Sequence, residues 1–447
     1  MRKVQQLAGF VSTAEAAAAP YRYLPFEVPP RCTRIDVSYH FYSDGGPSTV
    51  DIGLFDIRGT EPLTGGFRGW SGSARRSFSI ERESATPGYL AGPLPSGTWW
   101  VILGLYAVPE PGVRWFVTVE VESARDEPPA VAPSHPSRRE PVPADDGRLT
   151  WIPGDLHSHS EHSDGANTVA EIAAFALQRG LRYLAITDHN TITHHAEVDA
   201  FHHPGLLLIP GEEVTTNSGH ANVWGLREWV DFRVTADEEM HRLFRWVESR
   251  RRPFSINHPK SVGPPWLWTD PGFRIREVWQ APWRWFNWQS VQDWDALLAD
   301  GERITPVGGS DAHSVPPAEP MHPHHIGDPT TWLQVRGLPT EAKVLEAITA
   351  GRTAISDGPE GPRVHIVPGD NEDSLAIETH GAKGCTLVLV VDGEQRYRTE
   401  VAAEGQVILV PGDIRHERYI RAELRTPPPE PGGHEDTRAL SAPVYRE

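Results

Sequence analysis

The sequence holds only two cysteines, Cys32 and Cys385, among 447 residues. That excludes a disulfide framework and any cysteine-built metal site, leaving at most one long-range bridge. No apolar run approaches the roughly 20 residues of a membrane span. The basic opening Met1-Arg2-Lys3 leads into an apolar patch that Ser12, Thr13 and Glu15 interrupt. No signal peptide and no membrane partner are therefore expected, and the expected compartment is the cytoplasm. Basic charge is in deficit: Lys plus Arg is 42 against 60 for Asp plus Glu, a net charge of -18. Duplex nucleic acid is disfavoured as a partner, because its binding depends on neutralising phosphates.

Turn formers and aromatics are plentiful. There are 42 prolines, 40 glycines and 16 tryptophans, and 38% of residues are hydrophobic. The length predicts about three domains at roughly 150 residues each. Residues 1–123 read as an N-terminal β-sandwich: the runs Arg34–Tyr42, Val50–Phe55, Trp99–Leu105 and Trp115–Val121 are β-branched and aromatic, with turn signals between them. Its expected role is packing or accessory. Residues 124–148 carry repeated prolines and read as an extended linker. From 149 to 360 strands alternate with helices. Residues 361–447 read as a small C-terminal β module, with a Pro/Gly-rich tail from Thr426 expected to be poorly ordered.

The alternating segment opens with Gly154-Asp155-Leu156-His157-Ser158-His159, followed by Asp164. Histidines two apart on an extended strand share a face, so both imidazoles can reach one ion. Alone that pair is a weak signal. The pattern then repeats: an apolar strand, a polar residue able to bind metal, and a helix. The strand ends carry Asp188-His189-Asn190, Gly211-Glu212-Glu213, Gly219-His220, Asn257-His258-Pro259 and Gly309-Ser310-Asp311-Ala312-His313. Barrel enzymes place their sites at such ends; a doubly wound sheet is the topological alternative. Capping boxes are expected at Thr168-x-x-Glu171 and Thr235-x-x-Glu238.

These ordered segments resemble the PHP (polymerase and histidinol phosphatase) superfamily, and within it the CehA/McbA-type metallohydrolases. The resemblance covers about 150 to 360. It implies an α/β chain built on a distorted (β/α)7 barrel with two or three divalent metal ions. One would be held by His157, His159, Glu213 and Asp311; a second by Glu213 as a bridge with His220 and His258; a third by Asp164, His189 and His313. Glu213 is preferred to Glu212 because the family pattern is Gly-x-Glu-x-Thr/Ser. Histidine and carboxylate ligands suit Zn, Mn or Fe. Water shared by two such ions is a nucleophile near neutral pH, so the expected activity is hydrolysis of a small-molecule ester, with no serine or cysteine nucleophile required.

Asp311 and His189 are the expected catalytic groups besides the metals. Lys260, two residues after His258, either holds a substrate anion or lies on the surface. Together with Arg284 it places phosphoesters first. Aryl carbamates or carboxylic esters come next, on the subgroup resemblance and on seven tryptophans between Trp266 and Trp294, several expected in the core and some in an aromatic wall beside the metals. A metal-containing binding protein and a single-strand nuclease are further readings. His162, His194, His195, His202 and His203 are expected to face solvent.

Overall fold

The computed structural model describes residues 1–62, 64–124, 147–317, 324–369, 374–411, 414, 418–426 and 435–445. Most of the expected linker, and His322, lie outside them.

The N-terminal part contains β1 (Arg2–Ser12), α1 (Thr13–Ala18), β2 (Tyr21–Val28), β3 (Cys32–Tyr42), β4 (Thr49–Phe55), β5 (Phe67–Gly72), β6 (Ser77–Glu81), β7 (Gly97–Ala107) and β8 (Gly112–Ser123). They form two four-stranded sheets, ordered β1-β8-β3-β6 and β2-β7-β4-β5. Inward residues of both, such as Ile35, Val37 and Val119 against Ile52, Leu54 and Leu103, share one core. This arrangement is compatible with a sandwich. The N-terminal apolar patch is the strand β1, closed by Ser12 and Glu15 in a capping box that starts α1.

The second sheet is buried on both faces. Phe55, Phe67, Trp70 and Ile102 pack outward into one cluster with Val214, Val223, Phe232 and Phe244 of the following segment. Trp70 fits because Gly53 and Gly104 lie beneath its ring. A Cβ would stand 2.6 Å from Trp70 Cε3 at the first and 2.7 Å from Cη2 at the second.

The middle segment comprises β9 (Leu149–Asp155), α2 (Val169–Gln178), β10 (Tyr183–Ile186), α3 (His195–Ala200), β11 (Leu207–Thr216), β12 (Gly219–Trp224), α4 (Asp237–Ser249), β13 (Phe254–Ile256), β14 (Ile275–Gln280), α5 (Asn287–Ala299) and β15 (Thr305–Gly309). Its strands pair in sequence order from β9 to β15. A strict (β/α)7 repeat is not what they form. Thr216 turns straight back into β12, so a hairpin replaces one βα unit and β12 runs antiparallel to both neighbours. No helix separates β13 from β14. The two ends of the path meet through a parallel bridge between Ser158 and Ala312.

Thr168 and Glu171 form the expected capping box on α2. On α4 the box is not formed. The cap residue is Ala236, and it is Glu239, not Glu238, whose carboxylate accepts from the Thr235 N–H and hydroxyl.

The chain continues through β16 (Thr330–Arg336), α6 (Glu341–Thr349), β17 (Thr353–Ser356), β18 (Arg363–Pro368), β19 (Leu375–His380), β20 (Thr386–Val391), β21 (Glu394–Glu400), β22 (Val407–Leu409), β23 (Tyr419–Thr426), β24 (Asp436–Ser441) and β25 (Val444–Tyr445). β16 pairs with β9, and the ladder runs on as β17-β24-β23-β20-β21. Backbone pairing therefore crosses the boundary expected at 361 without a break. The tail beyond Thr426 is not a frayed end where it is described: Asp436–Ser441 sits inside the sheet, because Ala439 and Leu440 are apolar and fully buried. No helix among the described residues is long and apolar enough to cross a membrane.

Candidate metal centre

The expected ligands converge where the strands from β9 to β15 end. The extended segment after β9 brings His157 and His159, both buried, and hydrogen bonds from Asp311 N to His157 O and from His159 N to Ala312 O fix it against the end of β15. Glu213 lies at the middle. Its carboxylate stands 3.3 Å from His157 Nε2, 3.5 Å from His159 Nε2, 2.8 Å from His189 Nδ1, 3.1 Å from His220 Nδ1 and 3.3 Å from His258 Nε2. Strand alternation sends neighbouring Glu212 the other way, where it accepts a 2.9 Å hydrogen bond from Val230 N.

Three overlapping groups have the spacing of metal ligands: His157, His159, Glu213 and Asp311; His159, Asp164, His189 and His313; and His189, Glu213 and His220. His258 is outside these groups but abuts Glu213, and its backbone is left-handed, with φ of 30°. The donor set fits divalent cations. His157 Nε2, Glu213 Oε2 and His220 Nε2 are buried without a hydrogen bond. Orphaned buried polar atoms are costly unless something else satisfies them, and an ion would.

The electrostatics have the same origin. Burial and the neighbouring His313 and His189 push His159 down to about 4. For His189 burial acts downward, yet Glu213 and Asp164 outweigh it and raise the ring to about 10. His313 is raised to about 9, Asp164 overcoming burial. Burial would lift the Glu213 and Asp311 carboxyls, but the surrounding imidazoles hold both well below the usual carboxylate range. Protons and metal ions would therefore compete for these side chains.

Sequence reasoning missed the groups that hold the ligands. Glu277 accepts from His157 Nδ1 at 2.9 Å and from His258 N at 2.9 Å. Asn257 Nδ2 donates to Glu213 Oε1 at 2.9 Å. Asp188 is fully buried and accepts from Ser160 N, Ser160 Oγ and Ser163 Oγ at 2.6 to 2.8 Å, which shapes the turn carrying Asp164. An acid inside a buried strand or beside a ligand was the available signal for Glu277 and Asp188.

Three expectations need correction. His162, His194 and His195 are buried, not solvent-facing; only His202 and His203 are exposed. His162 bonds Thr193 and Glu197, and His194 faces Asp188, because this loop folds back behind the ligands. The seven tryptophans do not wall the site. Trp279 and Trp294 are fully buried in one core, and Trp266 and Trp268 pack against another. Lys260 is buried and spends its ammonium on Gln280 O and Asn287 Oδ1, both at 3.0 Å, while burial lowers it to about 8. Gln280 in turn donates to Asp311 Oδ2 at 2.9 Å, so Lys260 supports Asp311 from behind. Arg284 is exposed.

A cleft of about 220 Å³ opens over the centre. Asp164, His189 and His220 form one side. Tyr21, Asp51, Trp70 and Tyr106 of the N-terminal sheets form the other.

Residues 155–242 match the family model of the PHP domain. Among curated proteins, the chain is 51% identical over 42 residues to the DNA polymerase/3'-5' exonuclease PolX of Bacillus subtilis, which is 9% of this chain and 7% of that protein. It is 41% identical over 64 residues to a 5'-3' exoribonuclease of Haemophilus influenzae, which is 14% of this chain and 23% of that one. The chain thus spans less than a quarter of either relative. A solved two-domain protein of Bacteroides vulgatus, described as containing a PHP-like metal-dependent phosphoesterase, aligns over 68% of this chain and 99% of its own length, with 19% identity and a TM-score of 0.38.

Proposed function

We propose, on the premise that this chain belongs to the PHP superfamily through residues 155–242, that it is a metal-dependent hydrolase of small phosphoesters. The observation that carries this reading is the buried histidine and carboxylate centre, with its orphaned donor atoms, at the floor of an open cleft. His157, His159, Glu213 and Asp311 would hold one ion, and Glu213 with His189 and His220 an adjacent one; Asp164 and His313 extend the set. Divalent ions held there would supply a nucleophilic hydroxide from water and polarise the ester oxygen. Three ligand groups crowded together suit the charge of a phosphoryl group.

The protein's own groups set the geometry. Glu277 and Asn257 fix the orientation of His157 and Glu213. Asp311 is held by Gln280 on one oxygen and faces His159 with the other, which places a fixed negative charge where it can orient the attacking water. His189 reaches the cleft, so the ion it would hold lies next to a bound substrate. A second reading is hydrolysis of aryl carbamates or carboxylic esters. It is favoured by the aromatic residues Tyr21, Trp70, Tyr106 and Phe232 lining the cleft.

The test pairs metal analysis by mass spectrometry with turnover of p-nitrophenyl phosphate and 1-naphthyl N-methylcarbamate, each with and without chelator. Chelator-sensitive release of p-nitrophenol is expected. Preference for the carbamate would put the second reading first. Metal-replete protein that cleaves neither ester would overturn both.

A further inference from the structure

The cleft has one wall that the metal chemistry does not use. On the β2-β7-β4 ladder, Tyr21 pairs with Gly104 and Gly104 with Asp51. Residues in register on adjacent strands share a face, so Tyr21 and Asp51 flank a gap that Gly104 leaves open. Most of that face is apolar and packs onto the middle segment through Phe55, Trp70 and Ile102. An acid there is out of pattern.

Asp51 is half-buried and lines the cleft. Among the described residues its carboxylate has no hydrogen-bond or ion-pair partner, and the hydroxyls of Tyr21 and Tyr106 have no hydrogen-bond partner either. The Arg76 guanidinium is stacked over the rings of Tyr39 and Phe41, at 5.2 and 4.2 Å, and acts on Asp51 only through its charge, as do His189 and Asp164 from the far side of the cleft. A half-buried carboxylate that faces a cleft without a protein partner leaves its charge for a ligand to pair. Sharing its cleft wall with Tyr21, Trp70 and Tyr106, it suits an ammonium group, which gains an ion pair and can gain a cation–π contact there.

We propose that Asp51, with Tyr21, Trp70 and Tyr106, recognises an ammonium group on the substrate, so that the ester lies with its reacting end toward His189 and Asp164 and a protonated amine against the N-terminal sheet. This names the substrate class of the hydrolase proposed above and rests on that reading. It also gives the N-terminal part a role in specificity. A hydroxyl group is the competing occupant.

The experiment uses the full-length, metal-loaded protein. Binding of phenylphosphonate, 4-(aminomethyl)phenylphosphonate and 4-(hydroxymethyl)phenylphosphonate is measured by calorimetry, and hydrolysis of the corresponding aryl phosphates is followed alongside. The aminomethyl compound is expected to bind at least tenfold more tightly than the unsubstituted one. Asp51→Asn should erase that preference, acting through KM for the amine-bearing ester. Tyr106→Ala, at an exposed position, should reduce the preference severalfold and serves as the second variant. Equal or absent binding of the amine, equal binding of the hydroxymethyl compound, or an Asp51→Asn effect that is the same on all three probes would overturn the proposal. If no phosphate ester is cleaved while amine binding still depends on Asp51, the hydrolase reading falls and the ammonium site stands.

Discussion

Glu213 shows how one side chain can order a whole centre. Five imidazoles lie within 3.5 Å of its carboxylate. The groups behind those imidazoles decide whether they stay aimed. Glu277→Gln keeps the shape but gives up the charge that orients His157. Loss of such a partner typically weakens metal affinity about 10- to 100-fold, and competition titration against a chelator measures it. Asp311→Asn tests the chemistry. With metals retained, turnover is expected to fall by about a hundredfold or more; undiminished turnover would remove Asp311 from the mechanism. Of this centre, the sequence made the types and order of the candidate ligands legible, since each lies in a strand or follows one. It hid the supporting acids, because Glu277 and Asp188 matter through partners distant in sequence. Nor could it show that Lys260 is turned away from the cleft onto Gln280 and Asn287.

Elements were legible where the signal is local. The Thr168 cap of α2 needs only residues three apart. Thr168→Ala removes it and is expected to cost about 1 kcal/mol, read by denaturant unfolding. The hairpin of β11 and β12 was not legible, because an apolar strand reads alike whether its neighbour runs parallel or antiparallel. The tryptophan-rich stretch misled for a related reason. Composition shows that large rings are present, but not which side of a loop they take; here Trp279 and Trp294 fill one core, Trp266 and Trp268 pack against another, and Trp288 is exposed. The wall of the cleft comes instead from β2, β4, β5 and β7, far upstream in the chain.

At the scale of the molecule, the N-terminal sheets and the ligand-bearing segment share one apolar cluster. Trp70 is central to it, 4.7 Å from the Phe232 ring. Trp70→Ala is expected to cost about 3 to 5 kcal/mol, visible as a lower melting temperature. Chelation should lower the melting temperature of the metal-loaded protein as well, because ions that bind only the folded chain stabilise it. Acid should act at a second place besides the centre. Burial alone would raise the Glu423 carboxyl, but Arg421 and Arg425 hold it below its ordinary value. A depressed folded pKa contributes stability that is present above the unfolded value, about 4.3, and is lost as pH falls below it toward the folded value. Thermal unfolding of wild type and Glu423→Gln should therefore show a gap at neutral pH that narrows below about pH 4.3.

The strand β24 joins two halves of the longest sheet, lying between β17 and β23. Until it is in place, each of those strands presents a row of unpaired backbone donors and acceptors. Such raw edges invite the same segment from another molecule. A nick or truncation ahead of Asp436 should thus leave the ligands intact in sequence while turning the protein toward self-association, with strand exchange between copies as the expected route.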